Sequence, residues 1–420
     1  MNRFIFIPGK NEELSLAELV SWFDLNSIYF RQEEIGKGFI AVEAEKSPEA
    51  NDLGGMVKVC RLLESFDKEP MLHPGSIFDK IPARYLPKER LFGLSVYPNS
   101  MKNNKFFNSF ASALKKNLRE QGINSKFMPV PKERSALTHV EVLKKRLEEI
   151  VVCIGRKKIH AAKTISVHNP FEFQKRDIGR PEQRPMFSIP PRLARIMINL
   201  TQTRMEGERT LLDPFCGMGT ILQEASLMGF DILGTDIDES CVMSAIENLY
   251  WLSQDYRLSL SNLDKKIMKA DATRLSKVFQ PKSIDAIVTE PNLGPALKIS
   301  PDESKAEGIL RGLKPLYEKS LKEFSTILKD GGRICMVLPR FEFGEHFARM
   351  ETEKLAAKAG LRSVDILKKC NIPHSFPYVD KEKRHKTIRE IWVFEKVPEP
   401  PPGPEDLPEL RWTKKTLKFD

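Results

Sequence analysis

The sequence predicts an α/β protein in which a doubly wound parallel sheet fills the C-terminal half and smaller α+β regions precede it. Three observations carry this expectation. From residue 191 onward short apolar runs alternate with helical stretches, the first of these runs ends in an acidic residue and a glycine-rich turn, and before residue 170 the alternation is missing while basic charge accumulates. Strict alternation of strand and helix is the pattern of a parallel sheet covered by helices on both faces.

The chain opens with Phe4-Ile5-Phe6-Ile7 as a strand, followed by Leu14, Leu16, Ala17, Leu19 and Val20 at helical spacing. A second strand is expected at 39–42, and within 52–66 the Gly54-Gly55 pair bounds a helix carrying Val57, Cys60, Leu62 and Leu63. This first region is taken as 1–85, ending in a connector around Pro82 and Pro87. The second, 86–170, begins with a strand at 92–97. A helix follows whose apolar face is Phe106, Phe110, Ala113, Leu114 and Leu118, with Lys115, Lys116 and Arg119 toward the other face. A strand end at 126–129, a helix near 135–148 and strands at 150–154 and 159–167 complete it, with Arg156-Lys157-Lys158 at a hairpin tip.

Residues 171–190 are rich in Pro, Arg and Asp, lack periodicity and read as a linker. The third region, 191–397, starts with a helix at 192–198. Strands are expected at 211–215, 231–235, 267–270, 284–289 and 333–338, then at 363–367 and 390–394, seven in all. The Pro-rich tail, 398–420, is expected to be extended and unpacked.

A chain of 420 residues supports two or three cores. No apolar run approaches the roughly 18 residues of a membrane span, and the apolar patch from Phe4 to Pro8 runs straight into Glu12 and Glu13 without a secretory h-region. A cytoplasmic protein without membrane partners is expected. The six cysteines lie far apart and form no C-x-x-C pair, so neither a disulfide framework nor a metal site is expected. The net charge is +10, and 101–170 alone holds fifteen Lys/Arg against five Asp/Glu. Such a concentration attracts polyanions through counterion release from phosphates.

The sharpest motif is Leu212-Asp213-Pro214-Phe215-Cys216-Gly217-Met218-Gly219-Thr220, a strand, a glycine turn and a helix start. Glycines there let a ligand approach the backbone. Leu222 stands where a dinucleotide fingerprint requires Gly or Ala, and no Gly-Lys-Ser/Thr follows, so phosphate binding is disfavoured. Gly234-Thr235-Asp236-Ile237-Asp238 ends the next strand, with Asp236 suited to ribose hydroxyls, and Asp271 closes the third strand similarly. Acidic strand ends without a phosphate loop suit an adenosine that bears a cationic sulfonium, which is S-adenosylmethionine.

The 213–220 segment resembles the first motif of class I methyltransferases that act on amino groups of nucleic acid bases. Those proteins end their fourth strand with Asp/Asn-Pro-Pro-Tyr, where Thr289-Glu290-Pro291-Asn292-Leu293-Gly294 stands here. The resemblance implies that Glu290 and the Pro291 carbonyl hold an exocyclic amine and that Asn292 and Leu293 occupy the places of the second proline and the stacking ring. Leu293 has no ring, and Phe341, Phe343, Phe376 or Tyr378 could supply one; the last two precede the basic run Lys381, Lys383, Arg384, His385 and Lys386.

With Arg176-Asp177-Ile178-Gly179-Arg180-Pro181 and the lead-in from Arg184 to Arg195, the layout resembles the archaeal and eukaryotic tRNA (guanine-N2) methyltransferases. In these, ferredoxin-like and THUMP RNA-binding regions precede a Rossmann-like catalytic domain with a seven-stranded doubly wound sheet. The resemblance implies that 1–85 is ferredoxin-like, that 86–170 is THUMP-like and holds tRNA, and that a small helper subunit is a possible partner. The cofactor shell is then expected from Phe187, Asp213, Phe215, Gly217, Gly219, Thr220, Asp236, Ile237, Asp271 and Ala272, and the catalytic set from Glu290, Pro291, Asn292 and Leu293.

Two other functions compete. A DNA amino-methyltransferase shares the chemistry but would come with a target-recognition region rather than a basic front. A catalytically silent protein that binds S-adenosylmethionine and RNA is the reading favoured by Leu293. Cys216 as a covalent nucleophile is disfavoured, because enzymes of that kind place a Cys in or beside the fourth-strand motif.

Overall fold

The computed structural model describes residues 1–68, 74–81, 85, 91–100, 104–123, 126–183, 189–202, 209–370, 372–382 and 386–397. Phe187, Lys383, Arg384, His385 and the Pro-rich tail lie outside the described residues. The chain divides into two compact units, one of Met1–Leu16 with Asn26–Phe171, the other of Ala17–Leu25 with the described chain from Glu172.

The first unit contains β1 (Asn2–Pro8), the start of α1 (Glu12–Leu25), β2 (Phe30–Gly36), β3 (Phe39–Ala44), β4 (Met56–Asp67), α2 (Pro74–Asp79) and β5 (Leu91–Tyr97). It continues with α3 (Asn104–Glu120), β6 (Lys126–Met128), α4 (His139–Lys145), β7 (Glu148–Ile154) and β8 (Lys158–Val167). One eight-stranded sheet runs β2-β3-β1-β4-β8-β7-β5-β6, so residues from 1–85 and from 86–170 share it through the β4–β8 pair.

Two local expectations differ from the structure here. The helix expected within 52–66 is the long strand β4. Its alternation is hidden because both faces are partly buried and because Lys58, 1% exposed, sits among the inward residues. Lys58 Nζ meets Glu149 Oε1 at 2.5 Å and the Leu137 carbonyl at 2.8 Å, while Thr164 donates to the other Glu149 oxygen. Burial acts to lower the Lys58 ammonium, but the facing Glu149 carboxylate holds it above the ordinary lysine value. The apolar face of α3 is also turned by one residue: Phe107, Phe110, Ala111, Leu114 and Leu118 are buried, and Phe106 is 52% exposed. Adjacent phenylalanines at 106 and 107 leave two faces that fit the same period.

In the second unit α5 (Pro170–Ile178), from Glu172 onward, and α6 (Pro191–Leu200) precede β9 (Thr210–Asp213), α7 (Thr220–Leu227), β10 (Asp231–Asp236), α8 (Glu239–Tyr256), α9 (Leu263–Lys266) and β11 (Ile267–Lys269). Then come β12 (Ile284–Thr289), α10 (Glu303–Ile327), β13 (Leu328–Phe343), β14 (His346–Ala348), α11 (Thr352–Lys358), β15 (Leu361–Ser363), β16 (Tyr378–Asp380) and β17 (Ile388–Lys396). The seven main strands lie in the order β11-β10-β9-β12-β13-β17-β15, with β14 and β16 paired beside β13 and β17. Strands β9 to β13 are parallel and β17 is antiparallel to both neighbours. This is the Rossmann-like doubly wound sheet expected from the alternation.

Tyr317, Phe324 and Ile327 of α10 pack with Ile334, Met336, Leu338, Trp392 and Phe394 in its core. The stretch that lacks periodicity after 170 is helical over α5 and is tied down by polar groups. Arg176 and Arg195 both grip the fully buried Glu224, at 2.5 and 2.8 Å, and both guanidinium groups lie over the Phe173 ring.

Candidate active site

Chain order reverses between β9 and β12. From β9 the chain winds outward through β10 to β11, then returns to the other side of β9. At such a switch point the loops after the two central strands part, and a crevice opens at their carboxyl ends. The two sharpest motifs of the sequence end these two strands.

After β9 the chain turns through Gly217 and Gly219, with φ of +47° and +80°. A Cβ at Gly219 would sit 3.2 Å from the Ala245 Cβ, whereas one at Gly217 would meet nothing within 4 Å. The first glycine therefore leaves backbone accessible, and the second allows α7 to pack against α8. Gly217 donates its N–H to Asp236 Oδ2 at 2.9 Å, and Asp238 donates to the other Asp236 oxygen at 3.0 Å. Each carboxylate oxygen retains a lone pair for a ligand hydroxyl. Next to it, Ile237 is 69% exposed. Asp271 accepts the N–H and hydroxyl of Thr273, and the N–H bond holds its carboxyl below the ordinary range; Ala272 beside it is buried.

Asp213 is the buried centre of the site, 2% exposed. It accepts the Thr289 hydroxyl at 2.8 Å and the Phe215 N–H at 3.2 Å. Burial pushes its carboxyl up to about 7; those two hydrogen bonds oppose the rise, and the Asp236 and Glu290 charges add to it. The Thr289–Asp213 bond ties the end of β12 to the end of β9, so the glycine turn and the Glu290 loop are held as one structure. Thr220, at the start of α7, accepts a hydrogen bond from Arg180 at 2.6 Å, and Phe215 is half-buried.

Beyond β12, Glu290 meets Arg389 of β17, Oε1 to Nε at 2.5 Å. Pro291 is buried, Asn292 exposed and Leu293 half-buried. The Asn292 carbonyl accepts the Tyr317 hydroxyl, while its side chain accepts the Gly294 N–H at 2.8 Å. Burial pushes the Tyr317 phenol up, and the nearby Glu290 adds to the shift.

Of the rings considered as substitutes for the missing one, Phe341 and Tyr378 are core residues, 0% and 1% exposed. The Tyr378 hydroxyl accepts the Leu367 N–H. Phe376 is half-buried, its ring edge-on to Trp392 at 5.2 Å, and Phe343 is half-buried.

Arg389, Tyr317, Asn248 and Arg180 went unnoticed as site residues in the sequence. Asn248 donates to the Met218 carbonyl at 3.0 Å and accepts the Glu182 N–H at 3.0 Å, and so braces the glycine turn. The nearest thing to a signal was the adjacent pair Arg389-Glu390, two charges set between Ile388 and the apolar run Ile391-Trp392-Val393-Phe394.

The chain's residues fit a sulfonium-bearing adenosine. The turn has an open glycine backbone, and the Asp236 and Glu290 charges lie close enough to Asp213 to raise its carboxyl, a field that favours a cation. Among the described residues no cluster suited to a metal ion occurs, and no helix is long and apolar enough to cross a membrane.

Residues 181–366 match the family described as RMKL-like, methyltransferase domain, which spans the glycine turn and the Glu290 loop. The tRNA (guanine(10)-N2)-dimethyltransferase of Methanothermobacter thermautotrophicus is 37% identical over 166 residues, 39% of this chain and 43% of that protein. The protein of the same name from Pyrococcus abyssi is 34% identical over 170 residues, 40% of this chain and 44% of that one. The matched segment thus spans less than half the length of these curated relatives. In fold, the chain is similar to the crystal structure of TrmN from Thermus thermophilus, with a TM-score of 0.53 and 18% identity over 94% of this chain and 100% of that one.

Proposed function

We propose that the chain is an S-adenosylmethionine-dependent tRNA methyltransferase that acts on the exocyclic N2 amine of a guanine in the cytoplasm. The observation that carries the proposal is the Thr289–Asp213 hydrogen bond, which joins the cofactor-type turn and the amine-type loop at one switch point. The names of the relatives support tRNA as the substrate class, and the basic excess of 101–170 supports a polyanionic partner. In this reading the 86–170 region is THUMP-like and holds tRNA, and 191–397 carries the chemistry.

When bound, S-adenosylmethionine supplies a methyl group on a positively charged sulfur. The acids around Asp213 favour that charge, and the Gly217 turn lets the ligand reach backbone. Glu290 Oε2 and the Pro291 carbonyl accept hydrogen bonds from the amine, which aims its lone pair at the methyl group. Catalysis is then positioning and electrostatics rather than proton abstraction by a strong base.

The test is incubation of the purified protein with tritiated S-adenosylmethionine and either unmodified total tRNA or duplex DNA. Label in tRNA alone is expected; label in DNA alone would overturn the proposal. A second reading, the silent binding protein, has one observation in its favour: Leu293 lacks a ring, and Phe341 and Tyr378 are buried in the core. It predicts cofactor binding with no label in either nucleic acid.

A further inference from the structure

We infer that Arg389 is a positioning residue that fixes Glu290 as a two-oxygen acceptor, and that this pair selects a base edge with two adjacent N–H donors. This selection rests on the methyltransferase reading proposed above and adds the device that sets its base choice.

Glu290 leaves β12 at the crevice, and Arg389 stands at the start of β17, opposite Pro339 in the β13 ladder. The two side chains are nearly closed to solvent, at 14% and 7% exposed, and Arg389 Nε donates to Glu290 Oε1 at 2.5 Å. Glu290 Oε2 has no hydrogen-bond partner among the described residues. The Tyr317 hydroxyl fixes the loop backbone two residues on, at the Asn292 carbonyl. Asp380, 3.8 Å from Arg389 Nη1, steadies the guanidinium from its other side.

An ionised carboxylate only accepts hydrogen bonds, whereas an amide or a protonated carboxyl presents one donor and one acceptor. Guanine offers N1–H and the N2 amine side by side. Adenine and cytosine set a ring-nitrogen lone pair next to their amine, and that lone pair would face the carboxylate unpaired and desolvated. As a carboxylate, Glu290 matches the guanine edge as long as it keeps its orientation, and the buried guanidinium of Arg389 holds that orientation.

The wild-type protein, with S-adenosylmethionine and unmodified tRNA, first identifies the labelled guanosine. A ligated tRNA then carries 2,6-diaminopurine at that position, which keeps the N2 amine and replaces N1–H by a lone pair. Wild-type kcat/KM is expected to fall roughly tenfold or more on this replacement, the discrimination of a good bidentate contact. The isosteric Glu290→Gln, able to donate to the ring nitrogen, should use the two tRNAs about equally even at a lower absolute rate. Arg389→Met should lower the guanine rate and collapse the ratio, and Arg389→Lys should restore much of it; a merely structural role would slow both tRNAs alike.

Equal use of both tRNAs by the wild type, or a ratio that Glu290→Gln leaves unchanged, overturns the inference and leaves the proposed function standing. Wild-type protein that labels no guanine overturns the proposed function and the inference with it. Glu290→Gln keeps the test decisive should Arg389→Met fail to fold.

Discussion

Asp213 stands at the middle of the candidate site with its carboxyl raised to about 7, burial being the largest cause. A cation bound beside it favours the ionised form, so binding expels a proton wherever the free carboxyl still holds one. S-adenosylmethionine affinity is therefore expected to climb as pH rises toward about 7 and to level off above, with proton release over the same rise. Calorimetry in buffers of different ionisation enthalpy checks this, and Asp213→Asn should flatten the profile. Gly219→Ala forces an L side chain into φ +80° against Ala245, and should cost about 1–3 kcal/mol of stability, measured by urea unfolding, together with cofactor affinity. Glu290→Ala is expected to abolish methyl transfer while cofactor binding, read by the same calorimetry, persists. Asp213 and Glu290 were legible in the sequence because each belongs to a short contiguous motif. Arg389 and Tyr317 were not, because they reach the Glu290 loop from 99 and 25 residues away, a proximity created by the sheet order.

At the scale of elements, the parallel strands of the second unit were readable from short apolar runs between helices, since both sheet faces are covered and polar interruptions are rare. The strand β4 was not, because a buried charge broke its pattern. Lys58 and Glu149 are 1% and 0% exposed in side chain and link β4 to β7. Removal of one partner leaves the other charge buried, so Lys58→Met is expected to destabilise the first unit by about 3–5 kcal/mol, and the double variant with Glu149→Leu should recover much of that loss in urea denaturation. Helix α5 escaped the sequence for a related reason. Its attachment is ionic, through Arg176 and Glu224, and hydrophobic periodicity carries no record of such a bond.

For the whole molecule, the concentration of basic residues in 101–170 sets the expected mode of RNA binding. Affinity for tRNA should fall linearly in log–log form with salt. Replacement of Arg156, Lys157 and Lys158 together by glutamine should weaken binding uniformly across tRNA sequences and flatten the salt slope by up to about 3. A fluorescence-anisotropy titration at several salt concentrations checks both effects. The doubly wound seven-stranded sheet and the acidic strand ends beside the crevice followed from the sequence pattern, whereas the strand order and the Arg389–Glu290 pair exist only in the folded chain.

One experiment decides whether this chain methylates guanine: digestion of tRNA labelled by the wild-type protein to nucleosides, followed by chromatographic separation. Label in N2-methylguanosine or its dimethyl form is the predicted result. Label confined to another nucleoside, or cofactor bound with no label in tRNA, would contradict it.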